Sequence, residues 1–407
     1  MQTENSLDTI MATISERINN LSESETLAMA RMSRKLKAQG FDVINLSLGE
    51  PDFNTPDHIK QAAKDAIDQN FTYYPPVCGI PELREAVCKK FKRENNLDFK
   101  PENILVSAGA KQSIANIVLS IIDPGDEVIM PAPYWVSYKE IIKLADAKAV
   151  YIKATINNDF KITPEQLAKA ITSKTKLFIF SSPCNPTGSV YTKDELKALA
   201  DVFALNDHVY ILSDEIYEHI NFRGTHESIA QFENIRNRVI IVNGVSKSFA
   251  MTGWRIGYMA APFEITDACN KLQGQITSGA CSIAQKAAVA ALNGDLTSVK
   301  TMLKAFNERR DLVVKLLNEI PGMNTNIPQG AFYVFPDISQ YFGKTDGKIT
   351  INNAPDFCDY LLNKVYVASV PGNAFGDPNC FRISYATSND LLIEAIQRIK
   401  KAVSELY

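Results

Sequence analysis

Residues 239–260 read VIIVNGVSKSFAMTGWRIGYMA, and this stretch sets two cations, Lys247 and Arg255, among apolar runs. Lysine is rarely buried without a partner. An amine inside a core tends to lose its proton, because burial penalises the ammonium form. The neutral amine is the form that attacks a carbonyl carbon and makes a Schiff base. The small neighbours Gly244, Ser246 and Ser248 suit close approach of a ligand, and Arg255 offers a forked cation for a phosphate. On this segment alone, Lys247 reads equally well as a lysine on an exposed loop after a strand.

The surroundings alternate strand-like and helix-like runs. Glu127–Met130, Val150–Lys153, Leu177–Ser181, Val209–Ser213, Val239–Val242 and Arg255–Ala260 read as short strands, and Glu195–Leu205 has helical spacing. Such a pattern predicts an α/β fold whose mostly parallel central sheet is covered by helices on both faces. The ends differ: residues ~14–40 are helical and polar, and ~300–320 form a long helical pattern stopped by Pro321-Gly322. The last ~85 residues mix AFYVF, VYVAS and FRISYA with a closing helix from Asn389. The expected division is a large domain over 46–299, a smaller α/β domain built from 14–45 plus 300–407, and a disordered extension at 1–13.

Composition excludes several classes. The 407 residues carry 43 Lys and Arg against 46 Asp and Glu, a net charge of −3, which gives no argument for nucleic acid or an anionic membrane. No apolar run is long enough for a membrane helix. The opening MQTENSLDTIMATISE has acids and no Lys or Arg, unlike a secretory or transit leader, so a cytoplasmic location is expected. Seven scattered cysteines without a C-x-x-C fit reduced thiols, and four histidines without an H-x-x-x-H pair give no metal site. No two glycines stand one residue apart, which removes the dinucleotide fingerprint. Ile338 stands where a phosphate loop ending in Gly343-Lys344-Thr345 needs glycine, and no G-x-S-x-G occurs.

Other segments supply candidate partners for Lys247. Asp214 follows the apolar run VYILS, where a carboxylate needs a cation; it reads alternatively as a helix cap. Tyr217 follows within reach, and Asn185 sits on the rigid turn SPCNPTG, where a polar amide can enter a crevice at the strand ends. Ser107–Asn116 places small residues before a helical stretch, which suits a phosphate at unpaired amides. Gly49, in GEPDF, would let a substrate approach the backbone; Trp135 offers a stacking face. Arg382 is a charge inside the strand-like FRISYA, justified by a bidentate clamp on a carboxylate.

Together, and in this order, GEPDF, YPPVCGIPELREA, GAKQ, YWVSY, SPCNPTG, SDEIYEH, SKSFAMTGWRIGY and FRISYATS resemble the fold-type I pyridoxal-phosphate aminotransferases of class I, in particular the bacterial-type aspartate aminotransferases. The resemblance runs from about Ser24 to the C-terminus. It implies that Lys247 holds the aldehyde carbon of pyridoxal 5'-phosphate and then moves the proton between substrate and cofactor, in a ping-pong exchange of amino acids and 2-oxo acids. It implies that Asp214 keeps the ring nitrogen protonated and that Tyr217 and Asn185 bond its phenolic oxygen. Trp135 would stack on the ring, and Ala110, Lys111, Gln112, Ser246 and Arg255 would surround the phosphate. Tyr74 would reach the phosphate of a neighbouring subunit, implying a homodimer with shared sites. Arg382 and Gly49 would receive the substrate α-carboxylate, while Lys111, with Thr26, would meet the distal carboxylate of aspartate or glutamate.

Two departures from the family pattern stand out. Gly244 occupies a position where many relatives have serine, so a phosphate contact is lost or Ser246 replaces it. No arginine lies between Arg255 and Arg309, where enteric-type relatives place a distal-carboxylate reader. The implied activity is transfer of the amino group between L-aspartate and 2-oxoglutarate. Prephenate or aromatic donors, and carbon–sulfur elimination on the same scaffold, are the alternatives. Ser22 or Leu21 stands where prephenate users tend to carry a basic residue, and Lys111 with SDEIYEH argues against elimination.

Overall fold

The computed structural model describes residues 14–407, so the extension at 1–13 lies outside the described residues. The strands are β1 (Ile44–Asn45), β2 (Ile104–Ser107), β3 (Glu127–Ala132), β4 (Lys148–Lys153), β5 (Thr175–Ser181), β6 (Tyr210–Asp214), β7 (Val239–Gly244), β8 (Gly257–Ala260), β9 (Tyr333–Val334), β10 (Val367–Ala368), β11 (Val370–Pro371) and β12 (Phe381–Ser384). Seven make one sheet in the order β2-β8-β7-β6-β5-β3-β4. Its pairings are parallel except those of β8 with β2 and with β7.

The strands are continuously apolar because both faces are covered. Side chains alternate across a strand. Phe178, Phe180, Ile211 and Ile241 therefore enter one core, and Leu177, Ile179, Leu212, Ile240 and Val242 enter the other. A third core joins the two ends of the chain: Met29, Val43 and Ile44 pack with Phe306, Val313, Phe357, Phe381 and Ile399. There β1 pairs with β10, and β12 lies between β11 and β9.

Three local readings shift. The helix expected over Glu195–Leu205 spans Lys193–Ala204. Thr192 caps it: Glu195 N donates to Thr192 Oγ1 (3.2 Å) and Thr192 N donates to Glu195 Oε2 (2.7 Å). The strand expected from Arg255 begins at Gly257, because a 3₁₀ turn over Thr252–Trp254 leaves Arg255 left-handed at φ 56°. Strand β2, only four residues long, is too short to announce itself by alternation.

Candidate active site

The parallel strands end on one edge of the sheet, and the segments that leave them carry the candidate residues. The chain after β2 reaches Gly109 and the helix Ala110–Ile121; after β3, Trp135; after β5, Asn185; after β7, Ser246 and Lys247, while Asp214 closes β6. Ligands of open α/β sheets bind at this edge. A cavity of about 320 Å³ lies there, lined by Gly49, Ala110, Lys111, Trp135, Asn185, Asp214, Tyr217, Ser246, Lys247, Arg255 and Arg382.

The half-buried Lys247 donates from Nζ to the carbonyl of Gly49 (2.5 Å). Burial pulls its pKa down to about 8, against Glu50 and Asp214, with Arg255 and Arg382 adding to the fall. Part of the population is thus neutral near pH 8, the form that acts as nucleophile or base. Asp214 is nearly sealed from solvent, and burial raises it to about 6 although the Tyr138 hydroxyl and Ile216 N–H oppose this. Those two groups donate to Asp214 at 2.7 and 3.2 Å. A turn, not a helix, follows, so Asp214 caps no helix.

Arg382 is buried on β12. Its Nη1 donates to Asn185 Oδ1 (2.9 Å) and its Nη2 to the Ser47 carbonyl (2.6 Å). The guanidinium carbon lies 4.6 Å from the Tyr333 ring and 4.9 Å from that of Phe375. Its buried Nε has no hydrogen-bond partner among the described residues. The Tyr217 and Tyr333 hydroxyls share a hydrogen bond of 2.7 Å.

At the other end of the cavity, Gly109 precedes the helix at φ 87°, and a Cβ there would run into the Arg255 guanidinium. Arg255 Nη1 is fixed by the Thr252 carbonyl (2.9 Å). The amides at the helix start lie at the positive end of its dipole, which favours an anion. Lys111 Nζ lies 5.1 Å from the Trp135 ring; desolvation first, then Arg255, lowers its pKa.

Two candidates stand apart from the cavity. Gln112 is turned away: its Oε1 accepts from Ala108 N (2.6 Å) and its Nε2 donates to Thr277 (2.9 Å), so it ties down the loop instead. Tyr74 is 93% exposed and is not among the residues that line this cavity. Gly244 has no room for the serine side chain of relatives, since a Cβ would sit 2.9 Å from the Ile256 carbonyl and 3.0 Å from Gly257 Cα.

Sequence reasoning missed Tyr138 and Tyr333 as partners of named residues, and Thr252, Ser24 and Leu27 as cavity wall. A hydroxyl inside the apolar run AFYVF was the available signal for Tyr333. Also unforeseen was a partly buried cluster in which Glu94 and His219, and Glu215 and His226, gather around the buried Glu218. The Lys90 ammonium pairs with Glu218 inside it. All seven cysteines are free.

The class that this fold and site define is matched by the comparisons. The model of the family "Aminotransferase class I and II" matches residues 42–399. A Petunia hybrida protein, bifunctional aspartate aminotransferase and glutamate/aspartate-prephenate aminotransferase, is 49% identical over 96% of this chain and 82% of its own. The crystal structure of an aspartate aminotransferase from Rhizobium meliloti superposes with a TM-score of 0.94 at 43% identity, covering 98% of this chain and 100% of that one. That of Thermus thermophilus aspartate aminotransferase with maleate gives 0.91 at 39% identity, covering 96% and 100%. The chain belongs to the class I and II aminotransferases, and its fold is that of the fold-type I pyridoxal-phosphate enzymes.

The cofactor of this enzyme is pyridoxal 5'-phosphate, and the residues present fit it. Asp214, a buried acid with no ion pair among the described residues, suits a protonated ring nitrogen. The helix start beside Arg255, with a cradle that a Cβ at Gly109 would fill, suits the phosphate. The partly neutral Lys247 suits the aldehyde carbon.

Proposed function

We propose that the enzyme moves the amino group between L-aspartate and 2-oxoglutarate, giving oxaloacetate and L-glutamate, as the names of its relatives suggest. The observation that carries the dicarboxylate preference is Lys111. Among the described residues its ammonium has no carboxylate partner, and it lines the same cavity as Arg382 and Thr26. With Lys247 assigned to the aldehyde carbon and Arg255 to the phosphate, Lys111 and Arg382 are the two cavity cations left for a substrate with two carboxylates.

The contacts within the cavity support the following roles. When bound, the cofactor supplies an electron sink for the bond broken at the substrate α-carbon. Asp214 holds the ring nitrogen protonated, and Tyr138 orients Asp214. Tyr217 and Asn185 serve the phenolic oxygen, and Trp135 covers the ring. Ala110, Ser246 and Arg255 hold the phosphate. Arg382, braced by Asn185 and Ser47, receives the α-carboxylate beside Gly49. Lys247, its amine held by the Gly49 carbonyl, takes the α-proton as base and returns it as acid.

Several coarser readings accompany this one. A homodimer with shared sites is supported by the exposure of Tyr74 and the adjacent Tyr73. A cytoplasmic location is supported by the unpaired cysteines, and no helix of the described residues is long and apolar enough to cross a membrane. The division into 46–299 and 14–45 plus 300–407 is supported by the separate core that the two ends share. Prephenate or an aromatic donor is the second reading, favoured by the apolar wall of Leu27, Ile114 and Val136. Lys111→Ala tests the first. It should raise KM for aspartate far more than KM for alanine, and equal effects on both would refute the assignment.

A further inference from the structure

The loop Gly49–Thr55 is tied on two sides. Toward the Lys247 segment, the Gly49 carbonyl accepts from Lys247 Nζ at 2.5 Å and the Glu50 carboxylate accepts from the Thr252 hydroxyl. Thr55 Oγ1 donates to the Ala250 carbonyl (2.7 Å) and accepts from Trp254 Nε1 (3.1 Å). On the other side stands Arg309, from the helix Thr297–Asn318. Its Nη1 and Nη2 donate to Asp52 Oδ1 and Oδ2 at 2.7 and 2.8 Å, a two-pronged contact.

This pair is not an ordinary surface contact. The Arg309 side chain is 12% exposed and that of Asp52 is 29%. The guanidinium carbon lies 5.4 Å from the Phe53 ring and 5.6 Å from that of Phe306. Those rings meet edge to face at 5.6 Å and 79°. A flexible exposed pair spends most of its Coulomb gain on ordering two side chains. Here the rings already fix the arginine plane, and the fork then fixes the carboxylate. Pro51, between Asp52 and Glu50, limits the backbone freedom that would uncouple Asp52 from Gly49. The helix itself is anchored in the core shared by the chain ends, through Met302, Phe306 and Val313.

We propose that Arg309 is a positioning residue for the amino-acid site. Its fork on Asp52 sets the Gly49 backbone that faces the substrate α-carboxylate and holds the Lys247 amine. It thereby links the helix Thr297–Asn318 to the reacting nitrogen. This rests on the reading of Gly49 as part of the α-carboxylate site, but not on the identity of the distal group.

The test compares the holoenzymes of Arg309→Lys, Asp52→Asn and the double variant with the parent, using both alanine and aspartate as donors. Lysine keeps the charge and loses the fork; asparagine keeps the volume and loses the charge. The expected result is a KM raised ~10-fold for both donors with kcat changed less than ~3-fold, and a double variant no worse than the poorer single one. Hydrogen exchange in the holoenzymes should quicken at residues 46–56 while the helix Thr297–Asn318 stays protected. A melting temperature that falls while KM stays at the parent value for both donors would overturn the proposal, as would single effects that simply add. A parent enzyme that takes aspartate no better than alanine sinks the dicarboxylate reading alone, because the alanine comparison still decides the role of Arg309.

Discussion

Asp214→Asn in the cofactor-free protein should make it more stable, not less. The parent carboxyl is buried, accepts from Tyr138 and Ile216, and has no ion-pair partner among the described residues, with Lys247 acting on it only weakly from a distance. Its pKa rises from 3.8 to about 6, chiefly through burial. A raised acid binds its proton more tightly in the folded state, so stability falls as pH climbs from the unfolded value through the folded one. About 2 units at ~1.36 kcal/mol each give about 3 kcal/mol, all of it lost above pH ~7. Asparagine keeps the hydrogen bonds: its oxygen accepts from Ile216, and its amide donates to the Tyr138 oxygen, which can accept as well as donate. Denaturant unfolding of both cofactor-free proteins between pH 4 and pH 8 is the assay. The two should match near pH 4, and the variant should lead by up to about 3 kcal/mol at pH 8. In the loaded enzyme the order should invert, because only the carboxylate stabilises a ring cation. A parent at least as stable as the variant at pH 8 without cofactor would refute the claim that this acid awaits a positive partner. So would a difference independent of pH.

Lys90→Met should cost about 3–5 kcal/mol at pH 7, because it strands a buried carboxylate. Burial alone would raise Glu218, but Lys90 and the nearby imidazoles outweigh it and hold it at about 2. That contribution is complete above the unfolded carboxyl pKa and lost as pH falls toward 2, so unfolding curves should show the deficit shrinking in acid. Tyr138→Phe removes a donor from Asp214, so the acidic limb of kcat/KM should move to higher pH and the cofactor should leave more readily on dialysis. An unmoved limb would mean that the hydroxyl does not tune Asp214. Gly49→Ala places a methyl against the Tyr333 hydroxyl. Overpacking of this kind costs ~1–3 kcal/mol, so KM for every amino donor should rise roughly tenfold or more, and a KM unchanged by the substitution would place Gly49 outside the substrate's reach.

What could be read from the sequence was charge out of place. Lys247, Asp214 and Arg382 each interrupt an apolar run, and a buried charge demands a partner, so each announces a ligand before any fold is known. The alternating pattern gave the parallel sheet for the same reason, since strands covered on both faces have no polar side. The partners themselves were not readable. Tyr138 meets Asp214 across 76 positions of sequence, Asn185 meets Arg382 across 197, and Arg309 meets Asp52 across 257. Nothing local marks such residues, because a tyrosine on a helix or an arginine in a charged run is at home without a function. Gln112 is the reverse case. Its place in the motif suggested the cavity, yet its amide completes the unpaired Ala108 N–H, a local demand that prevails over a ligand.

The placement of the two tryptophans gives the molecule a built-in optical probe. Trp135 lines the cavity, and Trp254 grips Thr55 at the far end of the loop that begins at Gly49. No other indole dilutes the signal, so native emission reports from the cavity wall and from the loop anchor. A bound aromatic absorbing in the near ultraviolet would quench the first by proximity, whereas a shift of the loop would change the polarity around the second. Occupancy and loop movement thus become separable by light, without a label.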